Sequence, residues 1–364
     1  MLAQRSDLPV EIYIQIASHL SGLELATLCL TSQILHQVAI RDLYKHVKFH
    51  PQSYSTAVTS FCNAILHTPS LARSVESFSI DWNPASVDSK GAVTLVVGQA
   101  LGFMSNISCI HIGSAVHYGV LGAMLSQQAS IWPYLVEICS VWPLPAMFYY
   151  NHAPFLEHIA VAQGKFQADG FGGSQQGPLE LTALETLLVE TQEDFAFFIK
   201  GGVHPTLARL DVHCPLLRIY YEMARTCRYL VWLNLWSPAC FTGYTAGPRW
   251  TPMRSVERVG IGLRALLLDS PEAAANALQT IATLFPAMEV FDVLPGKAEV
   301  DNDVAESFMN LMLGHHRLPN LRRLNFSAAI SYSRNSMTET FQPDLPDETY
   351  PTLLLRTETI EAGL

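Results

Sequence analysis

Leu207-Ala208-Arg209-Leu210-Asp211-Val212 is followed 23 residues later by Leu230-Val231-Trp232-Leu233-Asn234-Leu235, and after 26 more by Val256-Glu257-Arg258-Val259-Gly260-Ile261. All three read apolar-x-x-apolar-x-apolar. The last four residues of such a hexapeptide alternate, as a short strand with one face in a core requires. The spacing recurs outward in both directions. Upstream it gives Val75/Phe78/Ile80, Ile107/Ile110/Ile112, Leu135/Ile138/Ser140, Leu156/Ile159/Val161 and Leu184/Leu187/Val189. Downstream it gives Met288/Phe291/Val293 and Leu321/Leu324/Phe326. Successive copies start between 21 (Leu135 to Leu156) and 33 residues (Met288 to Leu321) apart. Pro133, Pro154, Pro205, Pro286 and Pro319 each stand two places before a copy.

The links between copies are long enough for helices, and several read as such. Phe61 with Ile65 and Ile219 with Met223 mark two. Ser270-Pro271-Glu272 is a cap and first turn for a third, which buries Ala274, Leu278, Ile281 and Leu284. Asp303 and Glu306 form a capping box for a fourth, carrying Val304, Phe308 and Leu311 and stopped by Gly314. One strand and one helix per repeat place the chain in the α/β class, with short parallel strands that bury their apolar face by stacking on neighbours.

With 364 residues, 49% hydrophobic and 15% charged, the chain has material for a large core. Its net charge of −10 argues against a nucleic-acid partner, which calls for clustered Lys and Arg. Residues 91–136 contain no Asp, Glu, Lys or Arg, but polar breaks at Gln99, Asn106 and His111 point to two buried helices around a strand rather than a membrane span. Seven scattered cysteines without a CxxC pair, behind first residues carrying Arg5, Asp7 and Glu11, are expected to be reduced thiols of a cytoplasmic or nuclear protein. Most are expected to be small core residues.

Residues 7–49 are different in kind. Asp7 is placed to cap a helix with Pro9 in its first turn and Ile12, Ile16 and Leu20 at four-residue steps, closed by Gly22. Ser21 or Glu24 opens a second helix, with Leu25, Leu28 and Cys29 on one face. A third carries Ile34, Leu35, Val38 and Ala39. Three helices in about 40 residues seldom hide their own apolar surface, so a partner is expected to cover the excess. The order Leu8-Pro9-x-Glu11-Ile12, Ile16, His19, Leu20, then Leu25, Leu28, Cys29 and Ser32, with Leu43-Tyr44, Val47 and Phe49 as an exit strand, resembles the F-box. Gln33 and Leu35 depart from that pattern, standing where a basic residue and a tryptophan are frequent. The resemblance implies that Leu8, Pro9, Ile12, Ile16, Leu20, Leu25 and Leu28 contact a Skp-type adaptor and, through it, a cullin. The alternative is three helices that merely cap the next domain.

The repeats behind it resemble the irregular leucine-rich repeats of F-box/leucine-rich-repeat proteins, without the asparagine that regular repeats place after the strand. The implied organisation is an F-box at residues 1–49, a solenoid over 50–326 with parallel strands on the concave face and helices outside, and a C-terminal cap or flexible tail over 327–364. A mixed α/β sheet is the competing fold. In a solenoid the residues between core positions face the concave wall. Arg209, Asp211, His213, Trp232, Asn234, Trp236, Arg258 and Arg323 are therefore candidates to bind an unknown protein substrate, unless a segment such as Pro238 to Pro252 folds over the tryptophans. Phe148, Tyr149 and Tyr150 form a second aromatic candidate, read as loop residues.

Catalytic and cofactor signatures are not found: no P-loop, G-x-S-x-G elbow or HExxH helix occurs. Gly170–Gly177 reads as an exposed loop, and Asp301-Asn302-Asp303 lacks the glycine and glutamate of a calcium loop. His213-Cys214 and His315-His316 have no zinc spacing. The expectation is a non-enzymatic adaptor of a ubiquitin ligase, without cofactor or metal.

Overall fold

The computed structural model describes residues 9–50, 55–81, 87–113, 121–122, 125, 132–141, 144–161, 179–199, 204–214, 216–236, 251–262, 271–294, 318, 320–325, 331–334 and 341–343. Two compact units emerge, Met1–Ser140 with Met147–His152, and Val141–Ala146 with Ala153–Leu364.

The first unit opens with helices α1 (Val10–Ala17), α2 (Gly22–Cys29) and α3 (Gln33–Lys45). Pro9, whose ring fixes φ, is the N-cap of α1 and makes no side-chain cap bond, so the helix starts two residues later than a cap at Asp7 would place it. Asp7 lies outside the described residues. Gly22 does not close α1 but begins α2, because Ser21 caps it: Glu24 in turn accepts the Ser21 N–H (2.7 Å), a reciprocal capping box. The Ser21 hydroxyl, donating to the same carboxylate at 2.7 Å, and then that N–H hold the Glu24 carboxyl below the ordinary carboxylate range. Ser32 caps α3, accepting from the Leu35 N–H at 3.2 Å.

From Lys45 the chain passes without a loop into β1 (His46–Phe49), the exit strand expected from Val47 and Phe49. Helix α4 (Ser55–His67), the short α5 (Pro69–Ala72), β2 (Ser77–Ile80), α6 (Val87–Leu101), β3 (Cys109–Ile112) and β4 (Glu137–Ser140) follow. The four strands pair in parallel in chain order, with Val47, Phe78, Ile110 and Ile138 in one register. Tyr44, Phe49, Phe61 and Phe78 pack ring on ring, and Lys45 pairs with Glu76 at 3.3 Å, so α3 and β1 are fastened to the strand beside them. Helix α7 (Ala146–His152) holds Phe148 and Tyr149 fully buried. The aromatic triplet is therefore part of a helix and not a loop, with Phe148 and Tyr149 in the core and Tyr150 half-buried.

In the second unit the order is β5 (His158–Val161), β6 (Thr186–Val189), α8 (Gln192–Ile199), β7 (Arg209–Val212), α9 (Leu216–Thr226), β8 (Trp232–Leu235), β9 (Arg258–Gly262), α10 (Pro271–Leu284), β10 (Val290–Leu294) and β11 (Arg323–Asn325). All seven strands are parallel, and Ile159, Leu187, Leu210, Leu233, Val259, Phe291 and Leu324 are partners in one row. Each step repeats one backbone device: the carbonyl just before a strand accepts two successive N–H groups of the next copy. Ala208 accepts from Val231 and Trp232, Val231 from Glu257 and Arg258, and Glu257 from Glu289 and Val290. The leading apolar residue of all ten copies is buried. The expected spacing thus marks strands in both units, although Phe326 lies outside the described residues.

Parallel pairing ends at β11. Strands β12 (Ser331–Arg334) and β13 (Phe341–Pro343) pair antiparallel, since residues 326–330 are too short for a crossover. Part of the expected tail is therefore strand. The sheet is mixed and mostly parallel.

Candidate functional site

Two groups of side chains matter, one in each unit. In the first unit, Ala17, Leu25 and Ala39 make a small core among α1, α2 and α3, and Leu20, Leu28, Cys29, Val38 and Leu43 pack partly against it. Few apolar side chains are hidden, and many are not. Ile12 is 39% and Ile16 45% exposed, and Val10, Ile14, Leu23 and Ile34 are exposed as well; Leu30 reaches 89%. Of the seven residues named for adaptor contact, Pro9, Ile12 and Ile16 are open, while Leu20 and Leu28 are half-buried. Leu25 is buried between the helices, which corrects its assignment: it holds the three-helix core and is not free to touch a partner. Leu8 lies outside the described residues.

In the second unit, the residues expected to face an open wall are largely buried. Arg209 and Trp236 are buried, and Asp211 and Asn234 are 1% and 0% exposed. They satisfy one another. Arg209 donates from Nε and Nη2 to the two Asp211 oxygens (2.7 and 3.2 Å). Asp211 Oδ1 also accepts from Asn234 Nδ2 (2.6 Å) and Trp236 Nε1 (3.0 Å), and Asn234 Oδ1 accepts from Trp232 Nε1 (2.8 Å). The Trp232 ring lies between the guanidinium groups of Arg209 (4.1 Å) and Arg258 (4.0 Å). Arg258 forms a forked pair with Asp292, whose Oδ1 also accepts from Asn325 Nδ2 at 2.7 Å.

The register explains this ladder. Asp211, Asn234, Gly260, Asp292 and Asn325 occupy one row across β7 to β11. Gly260 is required in that row, because a Cβ there would overlap the Asn234 side chain and press on Leu294. Every carboxylate is paired and hydrogen-bonded, the condition under which buried charge is tolerated. The correction is therefore specific. Asp211, Asn234, Trp236 and Arg209 act as internal structure, whereas Trp232, Arg258, Arg323 and His213 keep a partly exposed edge. Asp292 was missed in the sequence, although it occupies in its copy the place of Asp211.

His213 stacks on Trp236 (6.0 Å between ring centres), and burial pushes its imidazole down to about 4 against the upward pull of Asp211. His204 is likewise buried, and burial lowers it. Cys62, Cys214 and Cys227 are buried, and burial raises all three thiols. Metal-ligand chemistry converges once among the described residues, at Cys109, His111 and Glu137. Gly170–Gly177, Asp301–Asp303 and His315-His316 lie outside them. No helix among the described residues is long and apolar enough to cross a membrane.

No curated protein matches the chain. An F-box-like family model matches residues 6–50, the stretch of the three thinly cored helices and the first strand, so the chain carries an F-box-like domain there, a kind of domain that generally binds Skp-type adaptors.

Proposed function

We propose that this chain is the substrate-recognition subunit of a Skp–cullin–F-box ubiquitin ligase, working in the cytoplasm or nucleus, with the F-box docking the adaptor and an irregular leucine-rich-repeat solenoid receiving the target protein. The observation that carries the reading is the apolar surface of Val10, Ile12, Ile16, Leu23 and Leu30 left open on a domain that matches the F-box. Three buried side chains do not hide two helices' worth of leucine and isoleucine, so a second protein is the natural cover. The copies held in register within each unit support a solenoid, since one repeat buries its apolar row only against its neighbours.

The chain contributes no catalytic group in this reading. It raises the effective concentration of its target near the charged ubiquitin carrier and leaves chemistry to other subunits. Trp232, Arg258, Arg323 and His213 are the residues left to meet the target, an aromatic and cationic edge of the type that anchors interfaces.

The test is co-purification of the full chain with a Skp-type adaptor and cullin. Binding by the wild type and its loss in Ile12→Asp/Ile16→Asp support the reading; no adaptor binding by a folded wild type removes it. A second reading, a binding module whose F-box is structural or works outside a ligase, is favoured by adaptor capture without cullin. The direct run of α3 into β1, fastened by Tyr44 and Phe61, is the observation on its side.

A further inference from the structure

Strands β3 and β4 each turn one face to the core: Ile110, Ile112 and Ile138 are buried there. The alternate residues face the other way. They are Cys109 and His111 on β3 and Glu137 and Cys139 on β4, and the register pairs Cys109 with Glu137 and His111 with Cys139. Two i, i+2 pairs on adjacent strands therefore bring two thiols, an imidazole and a carboxylate to the four corners of one patch.

The distances between their tips are those of a coordination shell. Cys109 Sγ lies 3.5 Å from His111 Nε2, His111 Nε2 lies 3.0 Å from Glu137 Oε1, and Cys139 Sγ lies 3.9 Å from Glu137 Oε1. The candidate ligand atoms of Cys109, His111 and Glu137 all lie within 4.8 Å of one another. Zinc bonded at about 2.3 Å to sulfur and about 2.0–2.2 Å to nitrogen or oxygen gives tetrahedral edges of about 3.3–3.8 Å, the longest between the two sulfurs. Cys109, His111 and Glu137 are already gathered, and Cys139, which approaches Glu137 Oε1 at 3.9 Å, has to turn toward the other three to complete the shell. Their side chains are partly shielded, His111 being 34% and Glu137 13% exposed.

We infer that Cys109, His111, Glu137 and Cys139 form a binding site for a divalent transition metal of the zinc class. Mixed thiolate and imidazole donors select such a borderline-soft ion over calcium or magnesium, which take oxygen. Four protein ligands close the tetrahedron, so the metal is structural. It binds as the two thiols lose their protons to solvent, and it clamps β3 to β4 on the face that the apolar core does not hold. Sequence spacing hides the site, because its two halves are 26 residues apart (His111 to Glu137) and neither half carries a CxxC or HxxxH signature.

The test uses the full chain, stripped with a chelator under reducing conditions and titrated with cobalt(II) and then zinc(II). One equivalent of cobalt is expected to give tetrahedral absorption with a thiolate charge-transfer band, displaced by zinc. On the wild type, zinc is expected to protect Cys109 and Cys139 from alkylation while the half-buried Cys29 is unaffected. Cys139→Ser and Glu137→Gln, checked for native circular dichroism, are expected to weaken zinc by about 100-fold and about tenfold or more respectively. Octahedral cobalt without thiolate charge transfer, a stoichiometry below one, unchanged alkylation of Cys109 and Cys139, or a Cys109–Cys139 disulfide in the air-free protein would each overturn the inference. The alkylation result stands without any variant, so misfolding of one cannot shelter the proposal.

Discussion

The helices of residues 9–45 and the strands β7 to β11 break the usual rule of apolar inside and polar outside in opposite directions. The helices leave isoleucine and leucine in water around a core of three side chains. The strands bury Arg209, Asp211, Asn234, Asp292 and Asn325. Each region contains groups that need a partner. The ladder finds its partners within the chain, by register, whereas the open helix face has them still to find. One region is therefore expected to respond to substitution through stability and the other through association.

Removing the hub of the ladder should have the largest effect. Asp211→Ala strands Arg209, Asn234 and Trp236 at once, so chemical unfolding is expected to show a loss of about 3–5 kcal/mol, the cost of leaving a buried charge unpaired. A loss under about 1 kcal/mol would mean the ladder is not a connected network. Gly260→Ala should come next, at about 1–3 kcal/mol by overpacking against Asn234 and Leu294, read by the same unfolding curve.

Ile16→Asp should behave in the opposite way. Stability is expected to stay within about 0.5 kcal/mol, the range of surface changes. Affinity for a Skp-type adaptor, measured by calorimetry, should fall by about 2 kcal/mol or more. A destabilised protein with unchanged adaptor affinity would reverse the comparison. Ser21→Ala, which removes the α2 cap, should cost about 1 kcal/mol in melting of the helices.

The smallest effect at neutral pH concerns His213. Its folded pKa of about 4 lies below the ordinary imidazole value near 6.5, so the unfolded chain binds the extra proton first as pH falls. The contribution is intact above pH about 6.5 and is lost progressively down to about 4. His213→Gln should flatten that part of the stability–pH curve relative to wild type. An identical slope in the variant would show that another group titrates there.

The ten strands were legible because each copy carries its own apolar pair at fixed spacing, and local alternation decides which residues turn inward. The F-box-like helices were legible for a related reason: their motif residues are close in sequence, and Ser21 with Glu24 closes a cap in one turn. Where the reading failed, a distant neighbour decided the outcome. Pro9 became the cap of α1 and Gly22 the first residue of α2 through local capping, but Leu25 became core only because Ala17 and Ala39 meet it.

By itself the amino-acid order determined the strand rhythm, the helix surplus at the start and the α/β class, since these follow from periodicities that each segment carries alone. Only the tertiary structure decided that the second face of β7 to β11 carries a buried polar ladder with a partly exposed edge, and that Cys109 and His111 stand beside Glu137 and Cys139. Both depend on register between strands more than 20 residues apart (Asp211 and Asn234, Cys109 and Glu137), and backbone hydrogen bonds between strands set that register.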